Sequence, residues 1–378
     1  MASAAKGTVI GLPSMSDTQR SGKDLAPHPE VTIKSYMNQG LPPLARSHSN
    51  PLIQDRNTKI LPKSYYEAMQ EFTDRANQYA ENAQQPGSHK RCAGKVAELS
   101  DISDGGLNGE SLAMRGFLIY EGEPDTIKTL VSLTGGLHGS EARIAIKTQC
   151  DLIQRLSEGE QQLPANTAIL FIPAVNPWGA SYSDRCNQNN VDPNRNFPTS
   201  KSAYELHPSG DLERVWEEMN TFMNPPEEQS PITFYLKLIG KFIKYSLLKH
   251  GVFKHFFGEE NPMPAAIAGG QNRDPQKLFY GGDHPETNTQ AVIKMFNESL
   301  ALFPNVKTVF HNDDHTGLAK KGAHSVEVKA SSPALEERVA DAISNRLSGC
   351  TIPLHILVYL NTDSGLLEHP RHLTYWRA

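Results

Sequence analysis

Apolar side chains first recur with regularity at Tyr65, Tyr66, Met69, Phe72, Ala76 and Tyr79. Those spacings collect them on one stripe of a helix beginning at Ser64, and Gln85-Pro86-Gly87 supplies the stop. The period then changes. Short apolar runs bounded by turn residues, Phe117 to Tyr120, Thr129 to Leu133 and Ala168 to Pro173, read as strands, and the stretch from Ala142 to Leu156 between the last two has helical spacing. Strand, helix and strand in that order form a βαβ unit. Further runs at Val306 to Phe310 and Ile356 to Leu360 predict more strands, with helices over Thr287 to Phe303 and Pro333 to Leu347. The expected class is α/β: a mixed twisted β-sheet flanked by helices on both faces.

The flanks of this pattern set the domain organisation. Residues 1–60 are rich in Ser, Pro and Gly without sustained periodicity, as in Gly40-Leu41-Pro42-Pro43, and are expected to be a flexible N-terminal arm. Residues 61–378 form the expected domain, with a helical insert over about 198–275. Its most hydrophobic stretch, Ile232 to Phe253, carries Lys237, Lys241, Lys244 and Lys249. Four lysines argue against membrane insertion and for a core-facing helix with a solvated face.

Composition narrows the partners. A chain of 378 residues that is 38% hydrophobic can bury a large core, and 42 acidic against 37 basic residues leave a net charge of only -5. No field of that size draws in nucleic acid or an anionic membrane, so a small-molecule or peptide partner is expected. The four cysteines, Cys92, Cys150, Cys186 and Cys350, show no CxxC spacing, and Met1 to Leu12 shows no signal-peptide pattern. A reducing, cytoplasmic setting follows as the expectation.

Chemistry gathers at three places. After the run Thr129 to Leu133 comes Thr134-Gly135-Gly136-Leu137-His138-Gly139-Ser140-Glu141-Ala142. A glycine-rich turn between a strand's carboxyl end and a helix start is where α/β sheets hold ligands. An imidazole and a carboxylate three residues apart could converge there on one ion. The plainer reading is a turn histidine with a glutamate favoured by the helix dipole. A catalytic zinc wants three protein ligands, and the third candidate is His315, in Phe310-His311-Asn312-Asp313-Asp314-His315-Thr316-Gly317-Leu318. Strand alternation puts His311, Asp313 and His315 on one face. Asp313 is then the partner that would orient His315, and His311 reads as a buried or edge histidine. Between these segments Asp184-Arg185-Cys186-Asn187 and Asp192-Pro193-Asn194-Arg195-Asn196-Phe197 supply two arginines. Beside a metal they could clamp a carboxylate or stabilise an oxyanion; in isolation they read as surface residues of a polar loop.

His138-Gly139-Ser140-Glu141, Asn176-Pro177-Trp178-Gly179, Asp192 to Phe197, Leu278-Phe279-Tyr280-Gly281-Gly282 and Asp313 to Leu318, in that order, resemble the zinc carboxypeptidase superfamily. The likeness covers roughly residues 61–345 and is nearest to a poorly characterised branch of carboxypeptidase-like proteins with a long insert before the last ligand. The resemblance implies a carboxypeptidase-like (phosphorylase/hydrolase-like) fold and one zinc ion held by His138, Glu141 and His315. It implies that Arg185 polarises the scissile carbonyl, and that Asn194 and Arg195 grip a terminal carboxylate. The implied reaction is attack by zinc-activated water on an amide. The family also uses a glutamate, on a strand well after the last zinc ligand, as general base. Glu368 is the candidate for it, since Glu327 stands close to His315 and Glu336 and Glu337 have the look of a solvated helix face. The ending His372 to Ala378 resembles the start of a strand that is cut off, so a truncated C-terminus is also an expectation.

The expected function is a zinc-dependent hydrolase cleaving an amide next to a free carboxylate, in a peptide C-terminus or an N-acyl amino acid. The alternative is a non-catalytic zinc- or carboxylate-binding relative lacking the base. No Gly-x-Ser-x-Gly elbow, HExxH or GxxxxGK[ST] loop points elsewhere.

Overall fold

The computed structural model describes residues 31–44, 64–99, 106–107, 109, 111–197, 217, 220, 270–315, 325–330 and 355–361. They fall into two compact units, one that runs to Gln188 and resumes at Glu286, and one between Asn189 and Pro285.

The first unit carries an eight-stranded mixed sheet. Its strands are β1 (Ile33–Met37), β2 (Lys90–Ala97), β3 (Met114–Glu121), β4 (Thr129–Gly135), β5 (Thr167–Ile172), β6 (Thr308–His315), β7 (Ser325–Ala330) and β8 (His355–Asn361). They lie in the order β1-β2-β3-β5-β4-β6-β8-β7. The central strand β4 is parallel to both β5 and β6, and β7 is parallel to β8; the other pairs are antiparallel. Helices α1 (Tyr65–Ala83) and α2 (Ala142–Glu158) pack on one face, and α4 (Thr287–Leu302) covers the other; α3 (Pro177–Tyr182) is a short helix after β5.

Local chemistry explains these elements. Ser64 and Glu67 form a reciprocal capping box at the start of α1. The stripe Tyr65, Ala68, Met69, Phe72, Ala76 and Tyr79 is buried against Phe117, Ile119, Phe171 and the apolar face of α2. Burying one such large side chain stabilises by about 1.5–3 kcal/mol. On the opposite face Tyr120 meets Phe303 edge to face at 5.1 Å, and Gly116 leaves room for the sulfur of Met295.

Two differences from expectation have physical causes. Residues 33–37 lie within the stretch expected to be a flexible arm, yet they form edge strand β1 on β2. The segment after them is held by the buried Arg115, which donates to the carbonyls of Pro42 at 2.6 Å and Pro43 at 3.1 Å. Strand β2 escapes the apolar pattern because Lys90, Arg91 and Lys95 interrupt it. Lys95 is nevertheless buried, its ammonium 3.4 Å from Glu298 on α4 and 3.3 Å from Ser35 on β1. Burial pulls its pKa down and Glu298 opposes that shift.

The polar run His311 to His315 extends β6 because β4 and β8 pair it on both sides. The helix expected at Pro333 to Leu347, the stretch Ile232 to Phe253 and most of the 198–275 insert lie outside the described residues. Among the described residues no helix is long and apolar enough to cross a membrane.

Candidate metal centre

Parallel pairing of β4 with β5 and β6 brings three strand carboxyl ends together, and the site is built there. Beyond β4 the backbone continues to pair: Val175 donates to the Gly135 carbonyl at 2.9 Å and Asn176 to Gly136 at 3.0 Å. Gly136 has φ +61°, and a Cβ on it would lie 2.6 Å from Cβ of Ala142. Gly139 sits so tightly on the backbone of Gly179 and Ala180 that any side chain there would overlap it. With the loop pinned between α2 and α3, Gly139–Glu141 forms a 3-10 turn, closed by Glu141 donating to the His138 carbonyl at 3.0 Å. That turn puts the His138 and Glu141 side chains together. Ser140 donates to the Asp184 carbonyl at 3.1 Å, tying the turn to the loop that carries Arg185. Asn176 steadies the same loop: its side chain accepts from the Gly179 amide at 2.9 Å and donates to the Cys186 carbonyl at 2.9 Å.

His315, at the end of β6, completes the cluster. Glu141 Oε2 lies 3.3 Å from His138 Nδ1 and 3.0 Å from His315 Nδ1. One donor atom from each of the three residues falls within 4.8 Å of the others, so the group could hold a metal ion. Behind His315, its Nε2 stands 2.7 Å from Asp313 Oδ2, and Asp313 Oδ1 accepts from the Thr134 hydroxyl at 2.7 Å. His311 is buried on the same face, its Nε2 3.4 Å from that hydroxyl.

The electrostatics follow from these contacts. Burial alone would raise the pKa of Glu141, but hydrogen bonds and charge from His138 and His315 bring it down to about 2. Burial works against a charged His315, yet Asp313 and then Glu141 raise it to about 10. Asp313 is also buried, but His315, His311 and the Thr134 hydroxyl hold it below the usual carboxylate range. Two carboxylates thus face one imidazole from opposite sides, a setting suited to positive charge.

The structure brings His138, Glu141, His315 and Asp313 together. Arg185 is exposed on its loop. Asn194 and Arg195 belong to the second unit, on the 3-10 turn Pro193–Arg195, where the Asp192 carboxylate caps the Asn194 amide at 2.9 Å. The Arg195 guanidinium lies 6.0 Å from the centre of the Phe279 ring. Glu368 lies outside the described residues. Glu327, close to His315 in sequence, stands on β7 two strands away, in register with Leu357 and through it with Asp313. Sequence reasoning passed over Thr134. Its signal is its cross-strand register with Asp313, which no spacing along the chain reveals.

A family model described as a protein of unknown function, DUF2817, matches residues 63–346, about three quarters of the chain and the whole of this cluster. No curated protein matches the chain.

Proposed function

We propose that this chain, which belongs to the DUF2817 family, is a zinc-dependent hydrolase cleaving an amide bond next to a free carboxylate. The substrate would be a peptide at its C-terminal residue or an N-acyl amino acid. The observation that carries the reading is the donor set of His138, Glu141 and His315. Two donors about 2.0–2.2 Å from one tetrahedral ion stand about 3.3–3.5 Å apart. Glu141 Oε2 lies 3.3 Å and 3.0 Å from the two imidazole nitrogens. Two imidazoles and one carboxylate are also the ligand types of a catalytic rather than a structural zinc site.

Zinc held there would supply a Lewis acid for a carbonyl oxygen and make water a nucleophile near neutral pH. The chain's own residues have the remaining tasks. Asp313 keeps the Nε2 of His315 engaged, so that Nδ1 is the nitrogen presented beside Glu141. Arg185 is assigned to polarising the scissile carbonyl, and Asn194 with Arg195 to the substrate carboxylate. The proton acceptor is assigned to Glu368. These three roles, given to four residues, rest on the likeness of the motifs to zinc carboxypeptidases.

The purified full chain, loaded with Zn(II), is expected to release the C-terminal residue of free-acid peptides, or to hydrolyse N-acyl amino acids, and to leave C-terminally amidated analogues intact. Zinc bound without turnover of either class would overturn the hydrolase assignment in favour of a non-catalytic binding protein.

A further inference from the structure

Thr134 is the next-to-last residue of β4 and only 2% exposed. A β-branched residue in a central strand needs no special explanation, but its hydroxyl has a directed use here. Oγ1 lies 2.7 Å from Asp313 Oδ1, on the residue directly across the strand pair. The other oxygen of that carboxylate, Oδ2, lies 2.7 Å from His315 Nε2. One carboxylate therefore spans from hydroxyl to imidazole with each oxygen engaged.

An aspartate held at one oxygen alone retains a broad terminal torsion. A second contact from a stiff β-branched side chain on the neighbouring strand fixes the carboxylate plane. The proton inventory sets the direction. Threonine has one hydroxyl proton and ionised aspartate only accepts, so the proton goes to Asp313. The hydroxyl's lone pairs are left toward His311 Nε2, 3.4 Å away. The ordered array is then His311, Thr134, Asp313 and His315, with the far nitrogen of His315 beside Glu141 at 3.0 Å.

We infer that Thr134 is a positioning residue of the metal centre: its hydroxyl locks Asp313, and through Asp313 the ring of His315, in the orientation that ligation requires. The inference rests on the reading that His138, Glu141 and His315 hold zinc.

The test compares Thr134→Val, which keeps the shape and removes the hydroxyl, with Thr134→Ser, which keeps the hydroxyl. Zn(II) affinity of the full chain is measured by competition with a chelator, and the visible spectrum of the Co(II)-loaded protein reports ligand geometry. Losing an orienting partner costs about 10–100-fold in metal affinity. Thr134 acts one bond further out, so about 10-fold weakening is expected for the valine variant, with an altered Co(II) spectrum. The serine variant should stay within about 3-fold of wild type and keep the wild-type spectrum. If the valine variant does not fold, Thr134→Ala should show the same weakening. Valine or alanine variants that bind as tightly as wild type, or a serine variant as weak as they are, would overturn the inference while leaving the metal reading intact. A wild-type protein that takes up no Zn(II) overturns both.

Discussion

Asp313 and Asp314 are neighbours on one strand, both buried, yet the two faces of β6 treat them in opposite ways. Asp313 shares its face with His311 and His315, accepts from Thr134, and is held below the usual carboxylate range. Asp314 is buried on the other face, where Asn312 donates to it at 2.8 Å, and Gly135 lies beside it under Ala145 of α2. Burial pushes its pKa up to about 7, the Asn312 bond offsets part of the rise and the charge of Asp313 adds to it. Burial alone therefore does not make a carboxylate a useful partner for a metal ligand. The donors facing it decide, and strand alternation decides which donors those are.

The comparison can be broken most forcefully at the end of the strand. His315→Ala removes a proposed ligand and should weaken Zn(II) binding by more than about 100-fold, the upper end of what an orienting partner alone contributes. Chelator competition on the full chain reads this directly. Next comes the pair itself. Asp313→Asn should weaken Zn(II) by about 10–100-fold, whereas Asp314→Asn should leave it within about 3-fold. Equal losses from the two substitutions would erase the distinction between the faces.

The smallest effect is in the pH dependence of the metal-free protein. Asp314 titrates at about 7 when folded against 3.8 for an ordinary aspartate, so between those values the folded chain binds more protons than the unfolded one. Stability attributable to Asp314 is therefore lost as pH rises through that window. Asp313 has the opposite sign. Its contribution is present above 3.8 and is lost as pH falls below it. Thermal midpoints of chelator-treated protein, scanned from pH 4 to 7, should decline less in Asp314→Asn than in wild type. An unchanged slope would contradict the pKa assigned to Asp314.

What could be read from the sequence divides along similar lines. The βαβ unit of β4, α2 and β5 was legible because two short apolar runs bounded by turn residues flank a stretch of helical spacing, a pattern that survives the buried polar Ser132 and Gln149. The loop from Gly135 to Glu141 was legible because glycines, a histidine and a glutamate at fixed offsets mark a constrained backbone with donors on it. Strands β1 and β2 were not. The charges of Lys90, Arg91 and Lys95 hide the alternation of β2, and the partner that allows Lys95 to be buried, Glu298, is more than two hundred positions away. Thr134 was invisible for a related reason. Nothing along β4 distinguishes it from any strand threonine; its hydroxyl acquires meaning only when β6 is laid beside it in register.

The most direct test of the account is the metal content of the purified full chain after exhaustive dialysis against metal-free buffer, compared with that of His138→Ala and His315→Ala. About one zinc per wild-type chain and far less in either variant is the predicted result. A wild-type chain without zinc, or variants that retain the same stoichiometry and affinity, would contradict it.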